Sequence, residues 1–199
     1  MIDEKLLLDG DMLLFHTRGF SPISMAIRQL TGSFWNHIGV YYTDLYRKGY
    51  IVEALGNGVV KTPIEKYISE KKHILKVVRF RPEAFKDKEE YKEGIATFVG
   101  RMYDKIGSKY DIWAIVFLGF KFLCKSSYKK FRQYVPIGNP LQSRESFFCS
   151  EIVCESAFRI SSLNAYLFRG ETNQVCDTTT PKDCGKSKWV KFIGGKDVN

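Results

Sequence analysis

The residue in this chain that most readily suggests chemistry is Cys149, which lies in the string SFFCSE at positions 146–151. From Phe147 the apolar spacing becomes helical, and Ser146 is placed to cap the helix, so Cys149 falls in its first turn. The unpaired amides and the positive dipole end at that turn stabilise a thiolate and can also bind an oxyanion. The placement thus predicts a nucleophile for attack on a carbonyl. A free cysteine is otherwise most often a small buried side chain, so a base must accompany it.

His37 and Glu53 are the residues that could activate such a thiol. His37 opens the apolar run HIGVYY, and Glu53 lies within YIVEAL, on the strand face that it shares with Ile51. A carboxylate on an apolar face needs a partner, and an imidazolium would be one. If the two runs form a hairpin that turns near Tyr46, Glu53 stands opposite Gly39 and diagonal to His37, within side-chain reach. This arrangement predicts a Cys-His-Glu triad in which Glu53 orients the base. The alternative is that Glu53 faces solvent at a sheet edge and His37 is a polar strand start.

The elements that must position these residues are short strands followed by longer helices. Runs of β-branched and aromatic residues between turn formers predict a small antiparallel sheet in the first half of the chain. A proline after a small polar residue marks two helix starts, and apolar residues at i, i+4 and i+7 mark a longer amphipathic helix. We therefore predict an α+β fold in a single domain over residues 1–199, with the nucleophile at the N-terminus of a helix. The predicted strands are Asp11–His16, His37–Tyr42, Tyr50–Leu55 and Ile74–Phe80, and the predicted helices are Ser21–Thr31, a short helix after Thr62-Pro63, Asp87–Lys105 and a helix from Phe147.

The remaining cysteines and histidines give no metal or cofactor signature. The five cysteines form no CxxC pair and the three histidines no HExxH pattern, so we predict reduced thiols, no metal and no cofactor. His16 is expected to be a structural histidine, and His73 is expected on the surface. Cys154 is expected in the core, whereas Cys176 and Cys184 flank a threonine-rich loop that could expose them.

A formal net charge of +9 favours anionic partners without choosing among them. Much of the basic charge lies in Lys121–Arg132, directly after the apolar run Ile112–Phe120, which is far shorter than the roughly 20 residues of a spanning helix. We predict a substrate-binding or membrane-facing insert over about residues 111–140; the alternative is a buried helix followed by a solvated basic loop. The N-terminus has no basic region ahead of an apolar stretch, so a cytoplasmic location is expected, with Lys121–Arg132 available for peripheral association with an anionic membrane.

Several strings in this chain, taken in order, resemble a known enzyme family. GDMLLF at 10–15, HIGVYY at 37–42 and YIVEA at 50–54 are similar to the strand signatures of the NlpC-type cell-wall peptidases, which have a papain-like fold. In those enzymes the nucleophile's helix precedes the histidine strand, whereas here FFCSEIV follows it. That order resembles the circularly permuted papain-like enzymes of the YaeF/YiiX amidase group. Lys109-Tyr110-Asp111 before the apolar run and the closing TPKDCGKSKWVKF at 180–192 are also similar to segments of that group.

The resemblance implies a permuted papain-like fold in which Cys149 is the nucleophile, His37 the base and Glu53 the orienting residue. It also implies a cysteine-dependent hydrolase, amidase-like or peptidase-like, that forms a thioester acyl-enzyme with a peptide, amide or acyl-lipid substrate. The related lecithin retinol acyltransferase group shares the His-before-Cys order, but its usual Asn-Cys-Glu-His context is replaced here by Phe148-Cys149-Ser150-Glu151. A lipid acyl hydrolase or acyltransferase is therefore the second hypothesis.

A third hypothesis is a non-catalytic basic module that binds a membrane or nucleic acid through Lys121–Arg132. We expect no specific nucleic acid partner, and we expect a monomer. Rapid, pH-dependent alkylation of Cys149 would favour the enzyme. Salt-sensitive polyanion binding that Cys149→Ala leaves unaffected would favour the module.

Overall fold

The computed structural model describes residues 2–17, 33–69, 73–110, 146–164, 167–168, 176 and 179–195. Within these residues the strands and helices form an α+β arrangement. The strands are β1 Met12–Thr17, β2 His37–Thr43, β3 Gly49–Leu55, β4 Gly58–Pro63, β5 His73–Phe80, β6 Lys109–Tyr110, β7 Ser146–Phe147 and β8 Val190–Gly195. The helices are α1 Glu65–Ser69, α2 Lys88–Asp104, α3 Cys149–Ser156 and α4 Pro181–Lys186, with 3-10 turns at Glu4–Leu6 and Pro82–Ala84.

Six strands of the described residues form one antiparallel sheet in the order β4-β3-β2-β1-β5-β8. The four predicted strands are confirmed as β1, β2, β3 and β5, and no end differs from its predicted position by more than one residue. The sequence does not predict β4 because its last residue, Pro63, is typical of a helix start. It does not predict β8 because two glycines at its end weaken the strand pattern. A short parallel pair, β6 and β7, forms a second sheet that lies beside β4.

The alternation of side chains along the strands divides the core into two clusters, one on each face of the sheet. Met12 and Leu14 of β1 belong to the cluster covered by α2 and α3, whereas Leu13 and Phe15 belong to the opposite cluster. Tyr67 of α1 and the segment before β1 cover that opposite cluster. Residues two apart on a strand therefore share a face. This two-residue alternation determines which side chains of neighbouring strands can contact each other.

The Gly-Asp pair before β1 has a structural role, because Gly10 packs against α2 and Asp11 binds β5. Gly10 has a φ of +85°, and an added Cβ would lie 2.8 Å from Ile95 Cγ2 of α2, so both conformation and space require glycine. Asp11 is fully buried, and the Arg79 guanidinium donates to its two oxygens at 2.6 and 2.7 Å. The ion pair neutralises a buried charge and connects the start of β1 to its neighbour β5.

Helix α2 confirms the amphipathic helix predicted over Asp87–Lys105. The Asp87 carboxylate caps it by accepting hydrogen bonds from two first-turn amides at 3.0 and 2.9 Å. Phe98 and Met102 are fully buried on the face that packs on the sheet. The helices predicted after Thr62-Pro63 and near Phe147 are α1 and α3.

The prediction of reduced thiols is wrong for one pair, because Cys154 and Cys176 form a disulfide with Cα atoms 5.4 Å apart. The sequence does not predict this disulfide because the two cysteines are 22 residues apart and meet only when the chain returns to α3. Cys184 is fully buried on α4, so the loop does not expose this side chain. His73 is half-buried, and its ring packs edge-on against Tyr67 with the centroids 5.1 Å apart.

Three predicted segments fall outside the described residues: the helix Ser21–Thr31, the insert over about residues 111–140 and the basic segment Lys121–Arg132. In the ranges that the structure does describe, no helix combines the length and the apolarity needed to cross a membrane.

Candidate active site

Cys149 is the first residue of α3 and lies in the helix-side core, with 2% of its surface exposed. The predicted position in the first turn is confirmed, and amides in that turn have no acceptor within the helix. The prediction that Ser146 caps the helix is wrong, because Ser146 lies in β7, paired with Lys109. The N-cap is Phe148, whose amide donates to Glu151 Oε2 at 3.2 Å. The Glu151 carboxylate, from within the first turn, thus bonds back to the amide of the N-cap residue.

The helix that carries Cys149 is anchored to α4 by its second residue. Ser150 Oγ donates to the carbonyl of Thr179 at 2.7 Å, and both residues are buried. Thr180 then caps α4, and its amide and hydroxyl donate to Asp183 Oδ2 at 2.9 and 2.7 Å. The closing TPKD string therefore stabilises the start of α4 and fixes the carbonyl that holds α3.

His37 opens β2 on the face opposite to α3, with its ring centroid 5.2 Å from that of Phe15. The predicted hairpin register is confirmed, because Gly39 of β2 pairs with Glu53 of β3. His37 Nε2 lies 2.7 Å from Glu53 Oε2, across the diagonal of this pair. Gly39 leaves room for the contact, since an added Cβ would come within 2.4 Å of Ile51 Cγ2 and 3.1 Å of Glu53 Cβ.

Glu53 is fully buried, and each of its two carboxylate oxygens has a hydrogen-bond partner. Oε2 contacts His37, and Oε1 accepts a hydrogen bond from the Tyr67 hydroxyl at 2.5 Å. The Thr62 side chain of β4 also bonds to this carboxyl group. Burial favours the neutral form, but hydrogen bonds from His37, Tyr67 and Thr62 and the charge of His37 outweigh it and lower the pKa of Glu53 below its ordinary value. The alternative of a solvent-facing Glu53 is therefore wrong.

Tyr67 and Thr62 are site residues that the sequence does not reveal. The string Thr62-Pro63 predicts only a helix start, and Tyr67 is one of eleven tyrosines in the chain. A tyrosine in the short helix IEKYISE does not by itself indicate a site residue. Only the structure shows that β4 places α1, and with it Tyr67, beside β3.

His37 connects two groups that approach from opposite faces of the sheet. Cys149 belongs to the helix-side cluster, whereas Glu53 shares the opposite face with Tyr67. The His37 imidazole hydrogen-bonds to both, and because Nε2 contacts Glu53, Nδ1 is the nitrogen left for the sulfur. Burial by itself lowers the pKa of His37, but the hydrogen bonds and charges of Cys149 and Glu53 raise it to about 10. The imidazole is therefore protonated at neutral pH.

His16 is a structural histidine, as predicted. Its Nδ1 lies 2.7 Å from the Phe34 carbonyl oxygen, and its ring stacks on the Phe34 ring with the centroids 4.0 Å apart. Among the residues described by the structure, no three His, Cys, Asp or Glu side chains form a group that could hold a metal ion.

The chain is similar to a known protein family and to a solved structure. A family model described as the permuted papain-like amidase enzyme of the YaeF/YiiX type, C92 family, matches residues 7–114, a range that includes His37 and Glu53 and ends before Cys149. Among solved structures, the chain is similar to the crystal structure of the metalloprotein YiiX from Escherichia coli O157:H7. The match has a TM-score of 0.61 and 17% identity and covers 95% of this chain and 97% of that one, which shows a shared fold. No curated protein matches the chain.

Proposed function

The chain belongs to the permuted papain-like amidase family of YaeF and YiiX and has its α+β fold, and from this premise we propose that it is a cysteine-dependent hydrolase that uses Cys149, His37 and Glu53. The observation that carries the proposal is the His37 imidazole, which hydrogen-bonds to the Cys149 side chain and, at 2.7 Å, to the buried Glu53 carboxylate. A thiol, a base in contact with it and a carboxylate that orients the base are the requirements of nucleophilic acyl transfer.

Acylation begins when the Cys149 sulfur, with its proton held on His37, attacks the carbonyl carbon of the substrate. A C–S bond forms, the carbonyl π electrons move to oxygen, and amides in the first turn of α3 stabilise that oxyanion. The intermediate collapses to a thioester as the C–N or C–O bond of the substrate breaks. The leaving group takes the proton from His37, so the imidazole is neutral at the end of this step.

Deacylation reverses these roles with water as the nucleophile. Water attacks the thioester carbonyl while the neutral His37 accepts one of its protons. The C–S bond then breaks, the carboxylic acid leaves, and Cys149 and His37 return to their starting state. Glu53 keeps the ring oriented in both steps, with Nδ1 directed at the sulfur, and stabilises the imidazolium each time it forms.

The substrate that we propose is a peptide or another amide, with an acyl lipid as the second class. Membership in a family described as amidases favours cleavage of a C–N bond. The acyl-lipid class follows from the order of His37 before Cys149, which the lecithin retinol acyltransferase group shares. From the basic charge of Lys121–Arg132 we also propose that the protein associates with an anionic membrane through this segment.

Labelling with a panel of thiol-directed amide, ester and acyl-lipid probes tests the proposal. Cys149→Ala should lose both labelling and hydrolysis with its fold intact, because the nucleophile is removed and a small buried side chain replaces it. Cys184→Ala is the matched control, since Cys184 is also buried and, among the described residues, also lies outside the disulfide. The probe class that labels Cys149 identifies the acyl group, and full activity of Cys149→Ala on the substrate so identified would refute the mechanism.

A further inference from the structure

Tyr67 extends the group of Cys149, His37 and Glu53 by one residue, on the face of the sheet opposite to α3. Its hydroxyl donates to Glu53 Oε1 at 2.5 Å, while His37 holds the other oxygen, Oε2, at 2.7 Å. Each oxygen of the carboxylate is thus held by a different side chain. Rotation of the carboxylate group would break at least one of the two bonds, so the pair of contacts defines its orientation.

The Tyr67 hydroxyl is brought to this position by rigid contacts. The residue is 6% exposed, and its ring centroid lies 4.7 Å from that of Phe15 and 5.1 Å from that of His73. The short helix that carries it is tied to β3, because the Ile64 amide donates to the Gly49 carbonyl at 3.1 Å. Contacts other than the hydroxyl bond therefore hold both the ring and the backbone of Tyr67.

We propose that Tyr67 is a positioning residue, which holds the Glu53 carboxylate ionised and directed at His37. The inference rests on the proposed function, in which His37 serves Cys149 as its base. The physical reason is that a hydroxyl donor stabilises the charged form of a buried carboxylate. Without that donor the pKa of Glu53 rises, and the imidazolium of His37 loses part of its support as the pH falls.

Tyr67→Phe tests the inference because it removes the hydroxyl and keeps the ring that packs on Phe15. Tyr41→Phe is the matched control: Tyr41 is 3% exposed in the same core cluster, and its hydroxyl bonds to the Glu4 carboxylate instead of Glu53. The two variants lose the same group, from the same kind of environment, next to a carboxylate. A difference between them therefore reports on Glu53 and not on the loss of a buried hydroxyl.

Two readouts apply before any substrate is known: the rate of Cys149 alkylation by iodoacetamide as a function of pH, and the titration of the His37 imidazole followed by nitrogen NMR. Tyr67→Phe should slow alkylation on the order of 10-fold at acidic pH and less at alkaline pH, so that the acidic limb of the profile moves to higher pH. Because the Glu53 carboxylate also loses the contact that directs it at His37, the His37 imidazolium should lose its proton at lower pH than in the wild type. Tyr41→Phe should match the wild type in both.

A second variant keeps the inference falsifiable if Tyr67→Phe fails to fold. Thr62→Val removes the other hydroxyl that bonds to Glu53, from β4 instead of α1, and should move the same acidic limb in the same direction. If Tyr67→Phe folds and its alkylation profile and His37 titration match the wild type, the inference is wrong. If only Thr62→Val folds, the same result for that variant would overturn the inference. The proposed function has a separate test, since full activity of Cys149→Ala would refute it. The His37 titration does not depend on turnover, so the two failures can be distinguished.

Discussion

Replacement of Glu53 by glutamine removes one charge from the site and changes its volume very little. The new amide must present its oxygen to one neighbour and its NH2 group to the other, because Glu53 lies buried between His37 Nε2 and the Tyr67 hydroxyl. If the oxygen keeps the Tyr67 bond, the NH2 group faces Nε2, and a neutral ring then carries its proton on Nδ1, toward Cys149. An imidazole in that tautomer cannot accept the proton of the thiol. The opposite orientation leaves the Tyr67 hydroxyl facing an NH2 group.

The magnitude follows from the stabilisation of the His37 imidazolium. The pKa of His37 is about 10 against an ordinary 6.5, an interval that corresponds to about 5 kcal/mol. Cys149 and Glu53 both supply it, so removal of the Glu53 charge should cancel only part of it. We therefore expect Glu53→Gln to lower the pKa of His37 and to lower kcat/KM on the order of 10²-fold, because the His37 imidazolium loses its countercharge. The change of tautomer adds to the loss of rate.

Two measurements check this expectation: the NMR titration of His37, and kcat/KM across pH on the substrate class that the probe panel identifies. Glu155→Gln is the matched control, since it makes the same chemical change on the helix of Cys149 but in a partly exposed ion pair with Lys105 at 2.9 Å. That control should leave both quantities at their wild-type values. A Glu53→Gln protein with an unchanged His37 titration and an unchanged kcat/KM would refute the reasoning.

Four further predictions concern the site and the fold. His37→Ala removes the base, so kcat should fall on the order of 10⁴-fold, a greater loss than in the glutamine variant; a milder loss contradicts the assigned roles. Reduction of the Cys154–Cys176 disulfide should lower the free energy of unfolding by about 3 kcal/mol in a denaturant titration, and an unchanged midpoint would contradict this. Asp11→Asn leaves the Arg79 guanidinium without its countercharge and should lower the same free energy by about 3 kcal/mol. Since the pKa of His37 is raised from 6.5 to about 10, its contribution to stability is complete below pH 6.5 and is lost as the pH rises through about 10. The wild type should lose more stability over that interval than His37→Gln, and parallel pH dependences would count against the ion pair.

The hairpin of β2 and β3 shows how much of the site could be predicted from sequence. A period of two along each strand and a short turn between them set Glu53 opposite Gly39, and the structure has this register. The start of α3 at Cys149 is likewise a local property, because the change to helical spacing is visible in the residues that follow. Both features depend on neighbours in sequence, whose geometry a few residues determine.

The errors concern contacts between residues that are far apart in the chain. Cys154 and Cys176 meet only because the chain folds back after α3, and nothing in their spacing distinguishes them from unpaired thiols. The local pattern predicts Ser146 as the cap of α3, but Ser146 pairs with Lys109 in a strand, and the helix starts two residues later, after Phe148. A local pattern indicates which hydrogen-bond or disulfide partners a residue could have. Packing between distant segments determines which of these contacts form.

By itself the sequence determined which chemistry this chain could perform: a thiol at a helix start, an imidazole and a carboxylate on paired strands, and their order along the chain. The tertiary structure alone decided that these groups meet. Cys149 lies on the helix-covered face of the sheet and Glu53 on the opposite face, and His37 contacts both because it stands at the very start of its strand. Tyr67 completed the arrangement from a helix that no local pattern associates with the site. Strand and helix periods are set by backbone geometry over a few residues, whereas contact across a sheet depends on how all the elements pack together.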